Sequence, residues 1–289
     1  TTKRAKKGTG QVAYDGWVSF STMGRRPKTM TAQQTFELRA EAYMNGYAYN
    51  HPYASSERLK QYWDKTIMGS NTIFSDEEFA GYRSGKSYDW LKQVTKTGVE
   101  HNHSLSFSKA SDGGSLYVSL GYSSLDGVVK GTGQDKYYGR VNAESTVKPW
   151  LKIGTNTSYT YMKDEIPSGS VYDNALQKSN PLVDYAPYMS DATRHKAYYL
   201  FTYWRVHDNG DNNNNFNPFN SMDIQTDRER YHFTSSNYID IRPLKGLDLR
   251  STLAFNRAEQ SWNQFIPNTI QEAVRYYGGD NYATQQRFA

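Results

Sequence analysis

The sequence predicts an all-β protein: an antiparallel up-and-down transmembrane β-barrel, present as a partial wall with short helices in its long outer loops. Three observations carry that expectation. Strand-like segments alternate apolar and polar side chains with period two. They are joined alternately by very short turns and very long polar loops, the asymmetry of an outer-membrane barrel with short periplasmic turns. The segments around 226–242 and 246–264 also have room for far more than an ordinary strand of about five or six residues, whereas a membrane strand needs about nine to eleven.

Each element has its own justification along the chain. The first strand lies near 10–22, with Val12, Tyr14, Gly16, Val18 and Phe20 on one face and Ala13, Trp17 and Ser19 on the other. The connection 23–98 carries folded content. Thr31 is placed to cap a helix running through Phe36, Leu38, Ala40, Ala42 and Tyr43. A second helix is expected over 56–64, and Ser75 with Glu78 three residues later forms a capping box for a third. Strands around 99–109 and 115–125 are parted by Ser111-Asp112-Gly113-Gly114. Leu105 and Phe107 alternate with serines in the first, and Leu116, Val118, Leu120 and Tyr122 oppose Tyr117, Ser119, Gly121 and Ser123 in the second. After a modest loop at 126–135, strands at 136–147 and 150–163 flank Lys148-Pro149, and Leu151, Ile153, Tyr159 and Tyr161 share a face with Thr155 and Thr157.

A second long loop, 164–227, holds a helix near 171–178 and the run Asp211-Asn212-Asn213-Asn214-Asn215. Strands around 228–242 and 246–258 flank Pro243-Leu244-Lys245-Gly246, with Leu247, Leu249, Leu253 and Phe255 opposing Asp248, Arg250, Thr252 and Asn256; the tail after about 265 is expected outside. Charges on the polar faces, such as Arg140, Glu144, Asp248 and Arg250, suit either the solvent face of a sandwich or a hydrated barrel lumen.

Composition bounds the alternatives. Only 37% of residues are hydrophobic, mean hydropathy is -0.84, and no run of about 18 apolar residues exists, which excludes membrane-spanning helices but not a barrel. Aromatic residues make up 15% of the chain, with 25 Tyr and 6 Trp, types that favour strands and membrane interfaces. With no cysteine, disulfides, thiolate metal sites and cysteine nucleophiles are all excluded. Part of the net charge of +5 sits in Lys3, Arg4, Lys6 and Lys7. Such a run can be a nucleic-acid arm, but no basic helix, RNP-like strand or zinc finger accompanies it, and no nucleic-acid partner is expected. The chain has no initiator Met or signal peptide and ends abruptly, so a segment of a longer protein is expected.

The opening residues Thr1-Thr2-Lys3-Arg4-Ala5-Lys6-Lys7-Gly8 resemble the close of the plug domain in SusC/RagA-type TonB-dependent outer-membrane transporters. There a Thr-Thr-Lys-Arg-Gly motif, with a further Lys and Gly, leads into the first barrel strand; Ala5 departs from that pattern. Trp90-Leu91 and His101 to Ser106 resemble the family's second strand, Tyr117 to Tyr122 with Asp126-Gly127 the third, and Tyr138 to Asn142 and Trp150 to Gly154 the fourth and fifth. The resemblance covers much of 1–164 in order. It implies that residues 1–9 are the end of the plug and its junction with the barrel, through Thr1, Thr2, Lys3, Arg4 and Gly8. Residues 10–289 would then be the N-terminal part of a 22-stranded-type barrel, about seven strands of it. It further implies import of glycans or oligopeptides across the outer membrane of a Gram-negative bacterium. The implied partners are a SusD-like surface lipoprotein, the TonB complex acting through the plug region, outer-membrane lipid, and an oligosaccharide or oligopeptide substrate, with dimers of transporter–lipoprotein pairs as one arrangement.

The residues support no catalytic reading. Asp164-Glu165 and Glu77-Glu78 are adjacent carboxylates, which on a strand point to opposite faces and cannot flank one bond. No Gly-x-Ser-x-Gly, Walker or HExxH motif is present. His101 and His103 share a strand face without a third ligand, which favours polar lumen-facing residues over a metal site. The run Asp208 to Asn215 lacks the alternation of a calcium loop; calcium in an assembled complex remains an option that no motif here supports, and no cofactor is expected. The candidate substrate- or lid-contacting residues are loop aromatics: Tyr47, Tyr49, Tyr53, Tyr62, Trp63, Tyr198, Tyr199, Tyr203 and Trp204. Their flat faces can stack on sugars, pack on peptides or hold the loops together. The alternative function is a non-catalytic, carbohydrate-binding surface β-protein.

Overall fold

The computed structural model describes Gly8 and residues 10–70, 72–167, 171–173, 175–176, 180–183, 220–268 and 280–288. Eight strands form one antiparallel sheet whose spatial order follows the chain: β1 (Gln11–Ser21), β2 (Gly98–Ser111), β3 (Gly114–Asp126), β4 (Gly133–Lys148), β5 (Leu151–Glu165), β6 (Gln225–Leu244), β7 (Leu247–Ile266) and β8 (Tyr282–Phe288). Each strand pairs with its sequence neighbour, so the sheet is an up-and-down arc with β1 and β8 at its two edges. The sequence led to about seven strands. The eighth is a seven-residue segment within the stretch expected to be an outer tail, and Gly279-Asp280-Asn281 ahead of it is the turn signal.

All three tight turns, 111–114, 148–151 and 244–247, fall at one end of the sheet, and the long connections fall at the other. In the last of these turns Gly246 sits at φ +88, which only glycine adopts without strain. The N–H of Gly8 donates to the carbonyl of Ala110 at 3.4 Å, so the chain enters the wall at the short-turn end.

Register carries the period-two pattern across the whole arc. Val12, Phe107, Val118 and Val141 align on one face, as do Tyr14, Leu105 and Leu120, and many of these side chains stay exposed. An isolated sheet that leaves Leu253 at 73% and Phe20 at 72% exposure is arranged for lipid, since a solvated face would carry polar groups there. The same face carries a few hydroxyls and an amide, but these satisfy one another. Thr157 Oγ1 lies 3.1 Å from Thr155 Oγ1 and 2.9 Å from Ser235 Oγ, and Asn237 Nδ2 donates to Ser235 Oγ at 3.0 Å.

Ten residues beyond Leu151 the apolar face ends in a row of tyrosines. Tyr122, Tyr137, Tyr161 and Tyr231 are direct cross-strand partners on β3 to β6, with neighbouring ring centroids 4.8, 6.1 and 4.9 Å apart. Ten residues at about 3.3 Å each, tilted by about 40°, rise about 25 Å, the height of the lipid-facing band of a membrane barrel. The hydroxyls of Tyr122, Tyr161 and Tyr231 donate to Asp135 or Glu229 one row further out, at 2.8–3.3 Å. The row is an aromatic girdle, apolar below and polar above. His101 and His103 belong to this face: they alternate with residues opposite to it and share it with Leu105 and Phe107, and Tyr14 Oη lies 2.6 Å from His103 Nδ1. This corrects their expected lumen-facing placement.

The opposite face is polar. Ser104, Ser106, Asn102, Ser119, Ser123, Asn156, Ser158 and Thr234 line it, as a hydrated lumen requires. Two tyrosines on it lie across glycines of the neighbouring strand: Tyr138 covers Gly121, and Tyr238 covers Gly154. A Cβ at either glycine would come within 2.4 Å of the tyrosine ring, so these glycines are what allow the rings to lie against the wall.

The described parts of the first two long connections fold into a cap on the other end. It contains α1 (Ala32–Asn50), α2 (Ser56–Tyr62), which continues as a π-helical turn at Trp63–Ile67, then α3 (Asp76–Ser84), α4 (Trp90–Gln93), α5 (Val171–Asp173) and α6 (Asn220–Asp223). Thr31 caps α1 with Gln34 reciprocating, and Ser75 caps α3 with Glu78 reciprocating. Trp90 and Leu91, which resembled strand residues, are instead helical and buried in the cap. The principal hydrophobic core of the described residues lies here, around Phe36, Ile67, Phe74, Leu91, Val94 and Leu182.

Candidate functional site

The cap and the outer end of the luminal face meet at the mouth of the wall. Two of the aromatic candidates build the cap itself. The Tyr47 ring stacks on Tyr62 at 4.0 Å and on His51 at 4.2 Å, and its hydroxyl accepts from Arg58 Nε at 3.1 Å. Burial pushes the Tyr62 phenol pKa up, and the neighbouring Tyr43 and Tyr47 add to the rise. Tyr49 and Tyr53, by contrast, are 86% and 99% exposed at the C-terminal end of α1 and just beyond it, and Trp63 is partly exposed at the start of the π-helical turn. Tyr198, Tyr199, Tyr203, Trp204, the run Asp211 to Asn215 and the junction residues Thr1, Thr2, Lys3 and Arg4 lie outside the described residues.

The first and second long connections are locked together by a buried polar cluster. Glu78 accepts from Arg39 Nη1 at 2.5 Å and from Asn180 Nδ2, and Arg39 Nη2 donates to the carbonyl of Ile73 at 2.7 Å while its guanidinium lies 4.4 Å from the Phe74 ring centroid. Trp90 Nε1 donates to the carbonyl of Asn180 at 2.9 Å. Gly81 of α3 lies flush against Leu182, where a Cβ would come 1.8 Å from the backbone oxygen. Residues 180–183 therefore pack onto the helices of the first connection with no space for a side chain between them.

Below the cap, on the luminal face, Asp164 is buried at the outer end of β5. Gln134 Nε2 donates to it at 2.6 Å, Arg228 Nε at 2.8 Å and Arg230 Nη2 at 3.0 Å. Arg228 also lies 5.7 Å from the Trp262 ring centroid. Asp164 and Glu165 do point to opposite faces, and Glu165 lines a rim cavity of about 390 Å³ with Lys163, Pro167, Met222, Thr226 and Asp227. Sequence reading singled out Asp164 only as half of an adjacent pair. Its two arginines alternate at i and i+2 on β6, but the 164↔228 register that joins them is set across a long connection and is not visible in local spacing.

Charge pairing differs between the two ends of the lumen. Near the short-turn end, Lys152 Nζ meets Glu144 at 3.0 Å, and Arg250 holds Asp240 with both nitrogens of its fork, Nη2 at 2.6 Å. Near the mouth, Arg228 and Arg230 share one carboxylate. Lys136 and Arg140, on the same face of β4, have no carboxylate partner among the described residues. No group of three or more His, Asp or Glu side chains that could hold a metal ion occurs among the described residues.

No protein-family model matches the chain. Among curated proteins it is similar to TonB-dependent receptor P39 of Formosa agariphila, with 28% identity over 70% of this chain and 18% of that protein. It is also similar to TonB-dependent receptor P26 of the same organism, with 26% identity over 67% of this chain and 18% of that protein. Among solved structures it superposes on the RagAB peptide importer in its closed-closed state, with a TM-score of 0.62 and 19% identity over 92% of this chain and 30% of that one. The open-open state gives a TM-score of 0.61 at 19% identity over 92% of this chain. The chain thus spans under a fifth of the length of these curated relatives. By sequence the chain is similar to TonB-dependent receptors, and by strand order and fold it is a barrel-wall arc like that of the RagAB importer, a likeness that matches the SusC/RagA-type resemblance of its opening residues.

Proposed function

We propose that the chain is the N-terminal part of the barrel of a transporter that imports oligosaccharides or oligopeptides across the outer membrane. In this reading residues 1–9 join an upstream plug to β1, a SusD-like surface lipoprotein covers the cap, and the TonB complex supplies energy from the periplasm through the plug. Transport breaks no bond in the substrate; ligand enters between lid, cap and lumen and passes when the plug is displaced. Exposed Tyr49, Tyr53 and Trp63 are the aromatic positions available to a lid or ligand, while Tyr47 and Tyr62 shape the cap beneath them.

The observation that carries this reading is the sheet's division into a lipid-type face ending in a tyrosine girdle and a polar face leading to a capped mouth. A soluble carbohydrate-binding β-protein has no use for such a girdle or for a wall of exposed leucine and valine. The test uses the full-length protein with an affinity tag. It is expected to fractionate with outer membranes, to bring down a surface lipoprotein, and to support oligomer uptake that stops when TonB is deleted. Recovery in the soluble fraction, or uptake indifferent to TonB, would sink the proposal.

A further inference from the structure

Among the described residues, the luminal face carries a local surplus of positive charge near the mouth that its short-turn end does not. Arg228 and Arg230 share Asp164, and Lys136 and Arg140, which have no carboxylate partner among the described residues, stand two residues to either side of Tyr138 on the same face of β4. Register sets these groups close together: Lys136 is opposite Met162, which is opposite Arg230, so the two cations are two strand spacings apart, roughly 10 Å. The other luminal carboxylates over these rows lie well to the side: Glu100 on β2 is three strands from Asp164, and Asp15 on β1 is three strands from Tyr138. At the short-turn end, where the luminal cations Lys152 and Arg250 each hold a carboxylate, no such excess remains. A patch with a surplus of one sign, bounded by low-dielectric protein, concentrates oppositely charged ligands.

Tyr138 gives the patch a shape. Its ring lies across Gly121, one side against the wall, and its hydroxyl is fixed by Asn102, which donates from Nδ2 at 3.1 Å. Lys136 Nζ is 5.5 Å from the ring centroid. A flat aromatic plate with one cation over it and another two residues along the strand, set in a wall of serine, threonine and asparagine, matches a sugar ring that bears an anionic group: the edge of the plate takes the ring's apolar side, the hydroxyls and amides take its hydroxyls, and the cations take its charge. We propose that the outer luminal surface from Lys136, Tyr138 and Arg140 to Arg228 and Arg230 binds oligosaccharides carrying carboxylate or sulfate groups. This rests on the importer reading and names its substrate class.

The test is binding to the purified full-length transporter with its own lipoprotein, using charge-matched pairs of probes: oligogalacturonate against its methyl ester, and sulfated dextran oligomers against plain dextran oligomers. At least one charged member is expected to bind about tenfold or more tightly than its neutral twin, with affinity falling as salt rises. The double variant Lys136→Gln with Arg140→Gln is expected to remove most of that preference while the barrel still reaches the outer membrane, because both side chains face the lumen. Equal affinity for charged and neutral twins, an unchanged preference in the variant, or an oligoglutamate peptide bound as tightly as the charged sugars would each overturn the proposal. TonB-dependent uptake of a neutral oligomer under those outcomes would leave the importer reading standing, whereas its absence for every probe would count against that reading instead.

Discussion

The wall and the cap of this chain solve the same problem in opposite directions. In the wall, large apolar side chains such as Val18, Leu120 and Leu253 point outward, and the backbone is satisfied strand by strand through in-register pairing. In the cap, apolar side chains point inward: Phe36, Phe74 and Leu182 are fully buried, and the Phe36 ring stacks on Phe74 at 4.1 Å and on Tyr82 at 3.9 Å. The cap is thus held by the hydrophobic effect in water, and the wall by ladder hydrogen bonds in a medium that offers none. One chain carries two kinds of stability, separated at the girdle of Tyr122, Tyr137, Tyr161 and Tyr231.

That separation can be broken one region at a time in the full-length protein. The largest effect is expected from Phe36→Ala, which empties the cap core at a cost of about 3–5 kcal/mol. The cap should then be cut by protease in native membranes while the heat-resistant barrel band on a gel persists; joint loss of both would show that cap and wall fold as one unit. Leu253→Arg comes next, near the middle of the lipid-facing band, with a cost of about 2–4 kcal/mol. It should reduce barrel assembly, whereas Ala254→Arg, one residue on and facing the lumen, should assemble nearly as the parent does. Similar assembly of both would show that the two faces are assigned wrongly.

Gly81→Ala sharpens the comparison within the cap. The added Cβ would press on the Leu182 backbone, for an expected loss of about 1–3 kcal/mol, and amide exchange should rise at 180–183 before it rises in α1. The smallest effect concerns pH. Burial raises the Tyr62 pKa in the folded cap above its unfolded value of 10.0, so its contribution is complete below that pH and is lost as pH rises through the folded value. Tyr62→Phe should remove one late-ionising tyrosine from the ultraviolet titration of the full-length protein.

The wall was more legible in the sequence than the cap. Alternation at Leu116, Val118, Leu120 and Tyr122 fixes β3 and its faces because each side chain's environment follows from parity alone. Thr31 and Ser75 were equally readable as caps, since capping is a contact between residues three apart. Some failures came where neighbours are distant. Trp90 and Leu91 looked like the start of a strand but are drawn into the cap by Asn180, ninety residues on from Trp90. His101 and His103 were expected to face the lumen because they are polar, whereas parity with Leu105 puts them at the girdle, where polar rings belong. The aromatic candidates divided in the same way: composition singled out Tyr47, Tyr49, Tyr53 and Tyr62 alike, and only packing separated the stacked pair from the exposed one.

By itself, the sequence determined strands β1 to β7, the faces of their apolar residues and the end of the sheet at which each tight turn lies, because these depend on period-two alternation and on local turn chemistry. Only the tertiary structure decided that Arg228 and Arg230 meet at Asp164, that Tyr138 lies across Gly121, and that residues 180–183 close against α3. Those pairings depend on register between strands and on packing between loops far apart in the chain, and no local pattern encodes either.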